Sequence, residues 1–370
     1  MNGTPIQDKT VYASVLRRIE RDLQAGRYRA GDLLPTEEQL VTRHSISRYA
    51  AREVYAELAR RGLVTRVKRK GTVATALAGS TRLPKIGLIL IAEVPAFFLF
   101  ENGVEQVLGD HGTGLRVAYN ASLEDRNEAA ITDMLAHEVD GLIIAPPPHS
   151  SMDRYRKMVA DGFPVVIAAS QCPGVHSVYP DDHAAGLLIG DHIGQQGFRR
   201  PALVSDNTPY AQVRTYGFRE GLARHGIALD PSHVVLLNYA SQSGQLYTDL
   251  GRRETEQLLR LDPRPDCVLA VNDVAAISVY YWLMKAGLRV PEDIAIAGID
   301  HIGLRFHPFQ LTTVDIGIEE MGRAAAELLL AQVKDPDLPP THREIKPKLV
   351  VSESTRRASP GKDARPSPFP

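Results

Sequence analysis

Between Lys85 and Ala297 the chain repeats one local pattern: a short, nearly continuous apolar run, a polar turn, then a segment with helical spacing. The runs are Ile86–Ile91, Leu115–Tyr119, Gly141–Ala145, Pro164–Ala168, Ala202–Ser205, Val234–Leu237, Cys267–Val271 and Ile294–Ala297. A strand that is apolar on both sides must be covered on both faces, and a helix between successive strands brings the chain back to run the next one parallel. The segment is therefore expected to be α/β, with parallel sheets flanked by helices. Eight such strands over ~270 residues fit two sheets better than one, so a two-lobed body is expected.

The residues before this body have a different texture. Tyr12, Leu16, Ile19 and Leu23 fall at helical spacing, with Gly26 closing the segment. Thr36 behind Pro35, followed by Gln39, has the capping-box spacing and predicts a second helix. Ser47 is placed to cap a third, whose Ala51, Val54 and Leu58 form an inward stripe ending at Gly62. Leu63–Val67 and Thr72–Thr75 then flank Lys68-Arg69-Lys70-Gly71, a hairpin with a basic tip. Three helices and such a hairpin make a winged helix-turn-helix.

On the third helix Arg48 and Arg52 lie one turn apart, with Tyr49 beside them and the apolar stripe opposite. Such a helix can enter a major groove and offer guanidinium forks to guanine or to phosphates. At the hairpin tip, Lys68, Arg69 and Lys70 can follow the backbone or probe a minor groove, and Gly71 permits close approach. Taken alone, arginines four residues apart more often mark a solvated helix face. Charge favours the DNA reading: residues 1–80 hold 15 Lys/Arg against 8 Asp/Glu, a charge of +7 that leaves −8 for the rest. A basic head on an acidic body fits a phosphate-binding module attached to something with another task.

The whole head segment resembles the GntR-type winged helix over roughly residues 9–75. The match is carried by Ala30-Gly31-Asp32, Leu34-Pro35-Thr36-Glu37, Ser47-Arg48, Arg52-Glu53, Gly62-Leu63-Val64 and Lys70-Gly71-Thr72. The resemblance implies that Arg48, Tyr49, Arg52 and the wing glycine approach DNA. Glu38 stands where many relatives carry an arginine, Tyr49-Ala50 replaces a frequent Thr-Thr pair, and Arg69 stands where glycine is usual.

Residues 85 to about 355 resemble the LacI-type effector domain, which shares its fold with periplasmic sugar-binding proteins. Ile86-Gly87-Leu88-Ile89, Val139-Asp140-Gly141-Leu142-Ile143, Asp181-Asp182, Arg214 with Gly217-Phe218, Ala270-Val271-Asn272-Asp273, Gly298-Ile299-Asp300 and Glu353-Ser354-Thr355 carry the likeness. Together the two resemblances match the arrangement of arabinose-repressor-type regulators. They imply a head at 1–75 and an effector-binding and dimerisation body at 85–355; the small, polar, Pro-ended stretch 76–84 reads as a linker, and 356–370, rich in Pro, Ser and charge, as a disordered tail.

A polyol needs donors and acceptors for its hydroxyls and an aromatic face for its C–H surface, inside a closing cleft. Asn272 and Asp300 follow apolar runs, so both are expected at carboxyl ends of strands, where open α/β sheets bind ligands. With them we place Arg214, pointed at ligand oxygens by the resemblance, and the aromatic side chains Phe97, Phe98 and Tyr239. The less favoured alternative is that Asn272 and Asp300 only cap following helices, and Asn272 can do both jobs. Ala169-Ser170 and Ile316 stand where sugar-binding relatives often carry polar groups, so the effector class stays open among sugars, sugar derivatives, polyols, glycosides and nucleosides.

No Walker loop, His-Glu-x-x-His or Gly-x-Ser-x-Gly motif is present, and Gly112-Thr113-Gly114 precedes a strand and not a helix. No catalytic, metal or cofactor site is therefore expected. The two cysteines, Cys172 and Cys267, suit a reducing compartment, and no apolar run reaches membrane-spanning length. The expected partners are duplex operator DNA, a small effector and a second copy of the chain, in the cytoplasm, with no membrane. The rival is a cytoplasmic sensing protein with no direct role on DNA.

Overall fold

The computed structural model describes residues 12, 15, 16, 18–20, 22, 23, 27–68, 70–75, 83–91, 96–237, 251–303, 305, 306 and 309–356. Gly26, Arg69, Tyr239, linker residues 76–82 and the tail from 357 onward lie outside them. Contacts divide the chain into two compact units, each assembled from separate stretches. One holds residues 1–92, 104–178 and 323–343, the other 93–103, 179–322 and 344–370.

In the head, the capping box expected at Thr36 is formed. The Gln39 N–H donates to Thr36 Oγ1 at 3.2 Å and the Thr36 N–H to Gln39 Oε1 at 2.8 Å, starting the helix Glu37–His44. Ser45, in the left-handed region at φ 52, ends that helix. Ser47 Oγ accepts from the Ala50 N–H at 3.1 Å and starts the helix Arg48–Arg60. Leu23, Leu40, Ala51, Val54 and Leu58 meet in a core confined to this segment, each 1% exposed or less. Val64–Val67 pairs antiparallel with Gly71–Ala74, and Leu33 bridges to Val73 to add a third edge.

The rest of the first unit is built on a six-stranded sheet in the order His342–Ile345, His176–Pro180, Val165–Ala168, Gly141–Ile144, Lys85–Leu90, Gly114–Tyr119. The pairings from His176–Pro180 through to Gly114–Tyr119 are parallel. A buried amide chain fixes one end of the sheet. Asn120 Nδ2 donates to the Ala145 carbonyl at 2.9 Å and to Asn127 Oδ1 at 3.3 Å, and Asn127 Nδ2 donates to Tyr155 Oη at 2.9 Å.

The second unit has a four-stranded parallel sheet in the order Ala295–Ala297, Cys267–Ala270, Pro201–Ser205, Val234–Leu236. Its helices Asp182–Gln195 and Pro209–Ala223 pack backbone against backbone. A Cβ on Gly186 would lie 2.0 Å from the Arg214 carbonyl oxygen, and one on Gly217 2.0 Å from that of His183. Gly190 and Gly221 are as close, at 2.4 Å from the Phe218 oxygen and 2.5 Å from the Leu187 oxygen. Only hydrogen fits at these four positions. Near the end of the described chain, Ser354 Oγ donates to the Ile296 carbonyl at 2.7 Å and accepts from the Thr312 N–H at 2.7 Å, which ties the turn Glu353–Thr355 to the sheet.

All eight expected strands are present, with ends shifted by a residue at most. The sequence reading missed His176–Pro180, Thr313–Asp315, His342–Ile345 and Lys348–Val350, and the two-residue strands Arg305–Phe306 and Phe309–Gln310. These are short, and two of them, His-Arg-Glu-Ile and Lys-Leu-Val, carry charge that masks the apolar signal. Among the described residues no helix is long and apolar enough to cross a membrane.

Candidate functional site

Two surfaces collect the chemistry. The first is the start of the helix Arg48–Arg60. Tyr49 is 75% exposed, and the Arg48 and Arg52 side chains 82% and 70%, while the opposite face fills the head core. Lys68 and Lys70 are exposed at the hairpin tip, where Gly71 sits at φ 114, a conformation that disfavours a side chain. Carboxylates thread these cations: Glu37 pairs with Arg66 and with Arg52 at 3.9 Å, and Glu38 lies 3.7 Å from Arg48. The structure thus brings Arg48, Tyr49 and Arg52 to one end of one helix, with Lys68, Lys70 and Gly71 on the adjoining hairpin.

The second surface lies at the carboxyl ends of the second unit's strands, where Asp206, Asn272 and Asp300 each follow a strand of the sheet. Arg214, only 5% exposed on the helix Pro209–Ala223, is at its centre. Its Nε donates to Asp182 Oδ1 at 2.8 Å, and its Nη1 to the Val271 carbonyl at 2.8 Å and to Asp300 Oδ1 at 2.9 Å. The Tyr210 ring stacks on the guanidinium, 4.9 Å away, and donates from its hydroxyl to Asp206 at 3.3 Å. Asp300 is held at φ 121, backbone strain of the kind that packed functional sites maintain.

Asp273 completes the group. It accepts from Thr313 Oγ1 at 2.6 Å and from the Ile302 N–H at 3.1 Å. Burial pushes its carboxyl up to about 7, and the neighbouring Asp300 charge adds to the rise. Burial likewise carries Asp300 up to about 6 against the pull of Arg214, and raises Asp182. For Arg214 burial works against the charge, but Asp300 and Asp182 outweigh it and hold the group above its ordinary range.

A carboxyl with a raised folded-state value keeps its proton after the unfolded chain has released it, so folding stability falls as pH rises through that window. For Asp273 the window runs from the ordinary carboxyl range, near 3.8, to about 7. Asp300 contributes in the same direction below about 6. Thermal unfolding of the Asp273→Asn variant is therefore expected to lose the decline that the parent shows between about pH 6 and 7.5. Equal slopes in that interval would show that Asp273 is ionised throughout.

The remaining sequence expectations divide. Asn272 Oδ1 accepts from the Ala275 N–H at 2.8 Å, so the capping role is realised, on a residue that also stands at the strand end. Arg214 and Asp300, expected as separate donor and acceptor, are bonded to each other. Phe97 is half-buried and packs edge-on against Phe100 at 6.5 Å, Phe98 is 69% exposed, and neither shares a ring contact with the Arg214 group. Tyr239 and Arg69 lie outside the described residues. Sequence reasoning missed Asp182, Asp273 and Tyr210 as members of the group. Their signal was present: a buried arginine needs carboxylates, and Asp-Asp at 181–182 and Asn-Asp at 272–273 supply them.

Comparison with known proteins decides what these two surfaces belong to. Residues 11–73 match the model of bacterial regulatory proteins of the gntR family, and residues 191–355 that of the periplasmic binding protein-like domain. One chain thus carries a segment similar to the gntR-family regulators and a segment similar to the periplasmic binding protein-like domain. Arg48, Tyr49, Arg52 and the hairpin tip fall inside the GntR match, and Arg214, Asn272, Asp273 and Asp300 inside the periplasmic-binding-protein-like match. The chain is similar along nearly its whole length to the arabinose metabolism transcriptional repressor of Geobacillus stearothermophilus, 24% identical over 95% of this chain and 100% of that one. The ribose operon repressor of Escherichia coli is 27% identical over 77% of this chain and 87% of its own length. Among solved structures, a LacI family transcriptional regulator from Enterococcus faecium with bound ribose superposes with a TM-score of 0.64 at 25% identity, covering 74% of this chain and 100% of that one.

Proposed function

We propose that this chain is a DNA-binding transcriptional repressor whose grip on its operator is set by a sugar-like effector. The observation that carries the reading is a GntR-type head with outward guanidiniums joined, in one chain, to a periplasmic-binding-protein-like body with a buried Arg–Asp group. The similarity to a named arabinose repressor also spans the whole length of that protein. On this reading residues 1–75 bind DNA through Arg48, Tyr49, Arg52, Lys68, Arg69, Lys70 and Gly71, and residues 76–84 link them to the body. The body, 85–355, pairs two copies so that two heads meet a palindromic operator, and 356–370 is a tail. The protein acts in the cytoplasm and carries out no chemistry on its ligand.

Arg214, Asn272 and Asp300 form the polar floor of the effector site, with Phe97, Phe98 and Tyr239 as candidate walls. Two buried carboxylates, Asp182 and Asp300, bond the Arg214 guanidinium, which is neutralised before any ligand arrives. Such a site favours an uncharged polyhydroxyl compound and repels sugar phosphates and sugar acids. Effector and operator each shift one equilibrium, and a full switch needs ~5 kcal/mol of differential affinity. The coupling is reciprocal, so bound operator weakens the effector by the factor with which effector weakens operator.

The test is salt-dependent, sequence-selective binding of full-length protein to genomic fragments, with and without a panel of pentoses, hexoses, polyols, nucleosides and their phosphates. Arg48→Ala is expected to weaken operator binding by ~1–3 kcal/mol in gel-shift titrations if the side chain meets a base. Undiminished binding would remove Arg48 from the interface, and the absence of any selective fragment would overturn the reading.

A further inference from the structure

Two glutamates begin the helix Glu37–His44, and the structure treats them differently. Glu37, 25% exposed, is wedged between Arg66 and Arg52 and ties the hairpin to the second helix. Glu38 is 81% exposed on the same face as Arg48, and its carboxylate approaches the Arg48 Nη2 to 3.7 Å, beyond hydrogen-bond reach. Among the described residues its carboxylate accepts no hydrogen bond; its backbone carbonyl accepts from Thr42 Oγ1 at 3.0 Å. A carboxylate in the middle of a surface meant for a polyanion is repelled by every phosphate it meets. It becomes favourable there only against a donor, and the donors displayed in the major groove are the exocyclic amines of cytosine and adenine.

From this we infer that Glu38 is a specificity residue and that it reads, with Arg48, one guanine–cytosine pair as a unit. The inference rests on the DNA-binding reading above. A G·C pair presents guanine O6 and N7, both acceptors, next to the cytosine N4 amine, a donor. The Glu38–Arg48 couplet is the complementary pattern: a two-pronged donor beside an acceptor. On docking, Arg48 exchanges its long contact with Glu38 for guanine O6 and N7, and Glu38 accepts from cytosine N4. An A·T pair offers the carboxylate the adenine amine but places the thymine methyl and O4 where the guanidinium needs two acceptors. The negative charge of Glu38 also repels the guanine and thymine acceptors, so it rejects the reversed pair. A carboxylate in the first turn of a helix steadies that helix through its dipole, but Glu37 supplies the same effect, so this alone leaves the exposure of Glu38 unexplained.

The full-length protein and its Glu38→Ala variant are each used to enrich binders from a random-sequence duplex pool. Both are expected to enrich sites with the same half-site spacing. The parent discriminates about tenfold at one G·C pair in each half-site, and the variant about twofold or less at that pair. Methylation of the cytosine N4 in the selected duplex, which leaves Watson–Crick pairing intact, is expected to weaken the parent and leave the variant unaffected. An identical preference at every position in the two pools would overturn the inference, as would equal sensitivity to the methyl group. A variant that is less heat-stable yet keeps the parental preference would make Glu38 a helix-stabilising residue only. If the parent enriches no sequence, both this inference and the DNA-binding reading fail; if it enriches one and the variant matches it, only the inference does.

Discussion

Gly217→Val is expected to destabilise the protein by about 3 kcal/mol or more. The added Cβ would lie 2.0 Å from the His183 carbonyl oxygen, 2.8 Å from the Leu187 amide nitrogen and 3.0 Å from the His183 carbonyl carbon. All three atoms are backbone inside a helix, so none can swing away. The helices Asp182–Gln195 and Pro209–Ala223 would have to separate, opening gaps along Gly186, Gly190 and Gly221 as well. Because one helix carries Asp182 and the other Arg214, effector affinity is expected to fall with stability. Urea unfolding measures the first and calorimetry the second. Gly109→Ala is the control, since a Cβ there meets nothing within 4 Å. A Gly217→Val midpoint equal to that of the control would show that the helices part at little cost.

Arg214→Met should be nearly as damaging for a different reason. The substitution keeps much of the volume and removes the charge, leaving Asp182 and Asp300 buried without their guanidinium. Removing one partner of a buried ion pair typically costs about 3–5 kcal/mol, because the remaining charge is neither solvated nor paired. The two carboxyls, already raised by burial, rise further without Arg214 and hold protons that the unfolded chain has released. The variant should therefore become more stable as pH is lowered from 7 toward 5. Adding Asp182→Asn and Asp300→Asn is expected to recover part of the loss at pH 7. Unfolding curves at the two pH values check each statement, and a single variant as stable as the parent at pH 7 would mean that the carboxylates reach solvent.

The fold was readable wherever burial imposed a period. The parallel strands announce themselves because both faces are covered, and the head because Thr36 with Gln39 and Ser47 are caps whose partners sit three residues on. The missed strands Thr313–Asp315, His342–Ile345 and Lys348–Val350 owe their pairing to distant partners, which a local pattern does not carry. The proposed effector site was half legible. Strand-end position pointed to Asn272 and Asp300, and a family likeness to Arg214. That Asp300 meets Arg214, 86 residues away, and that Asp182 meets it from a neighbouring helix, depend on the glycine contact between two helices. Asp273 was hidden by its ordinary appearance at a helix start. The aromatic candidates Phe97 and Phe98 were weakest, since an apolar ring fits core, surface and ligand wall alike.

Each compact unit draws on three separated stretches of the polypeptide, and the second is fastened by Ser354 and Thr355. Ribosomal synthesis runs from one end, so the head can settle early while neither lobe of the body has all its pieces. Each lobe waits for a stretch beyond residue 322. A transcript cut short before that point would yield a competent DNA-binding module attached to an unfinished sensor.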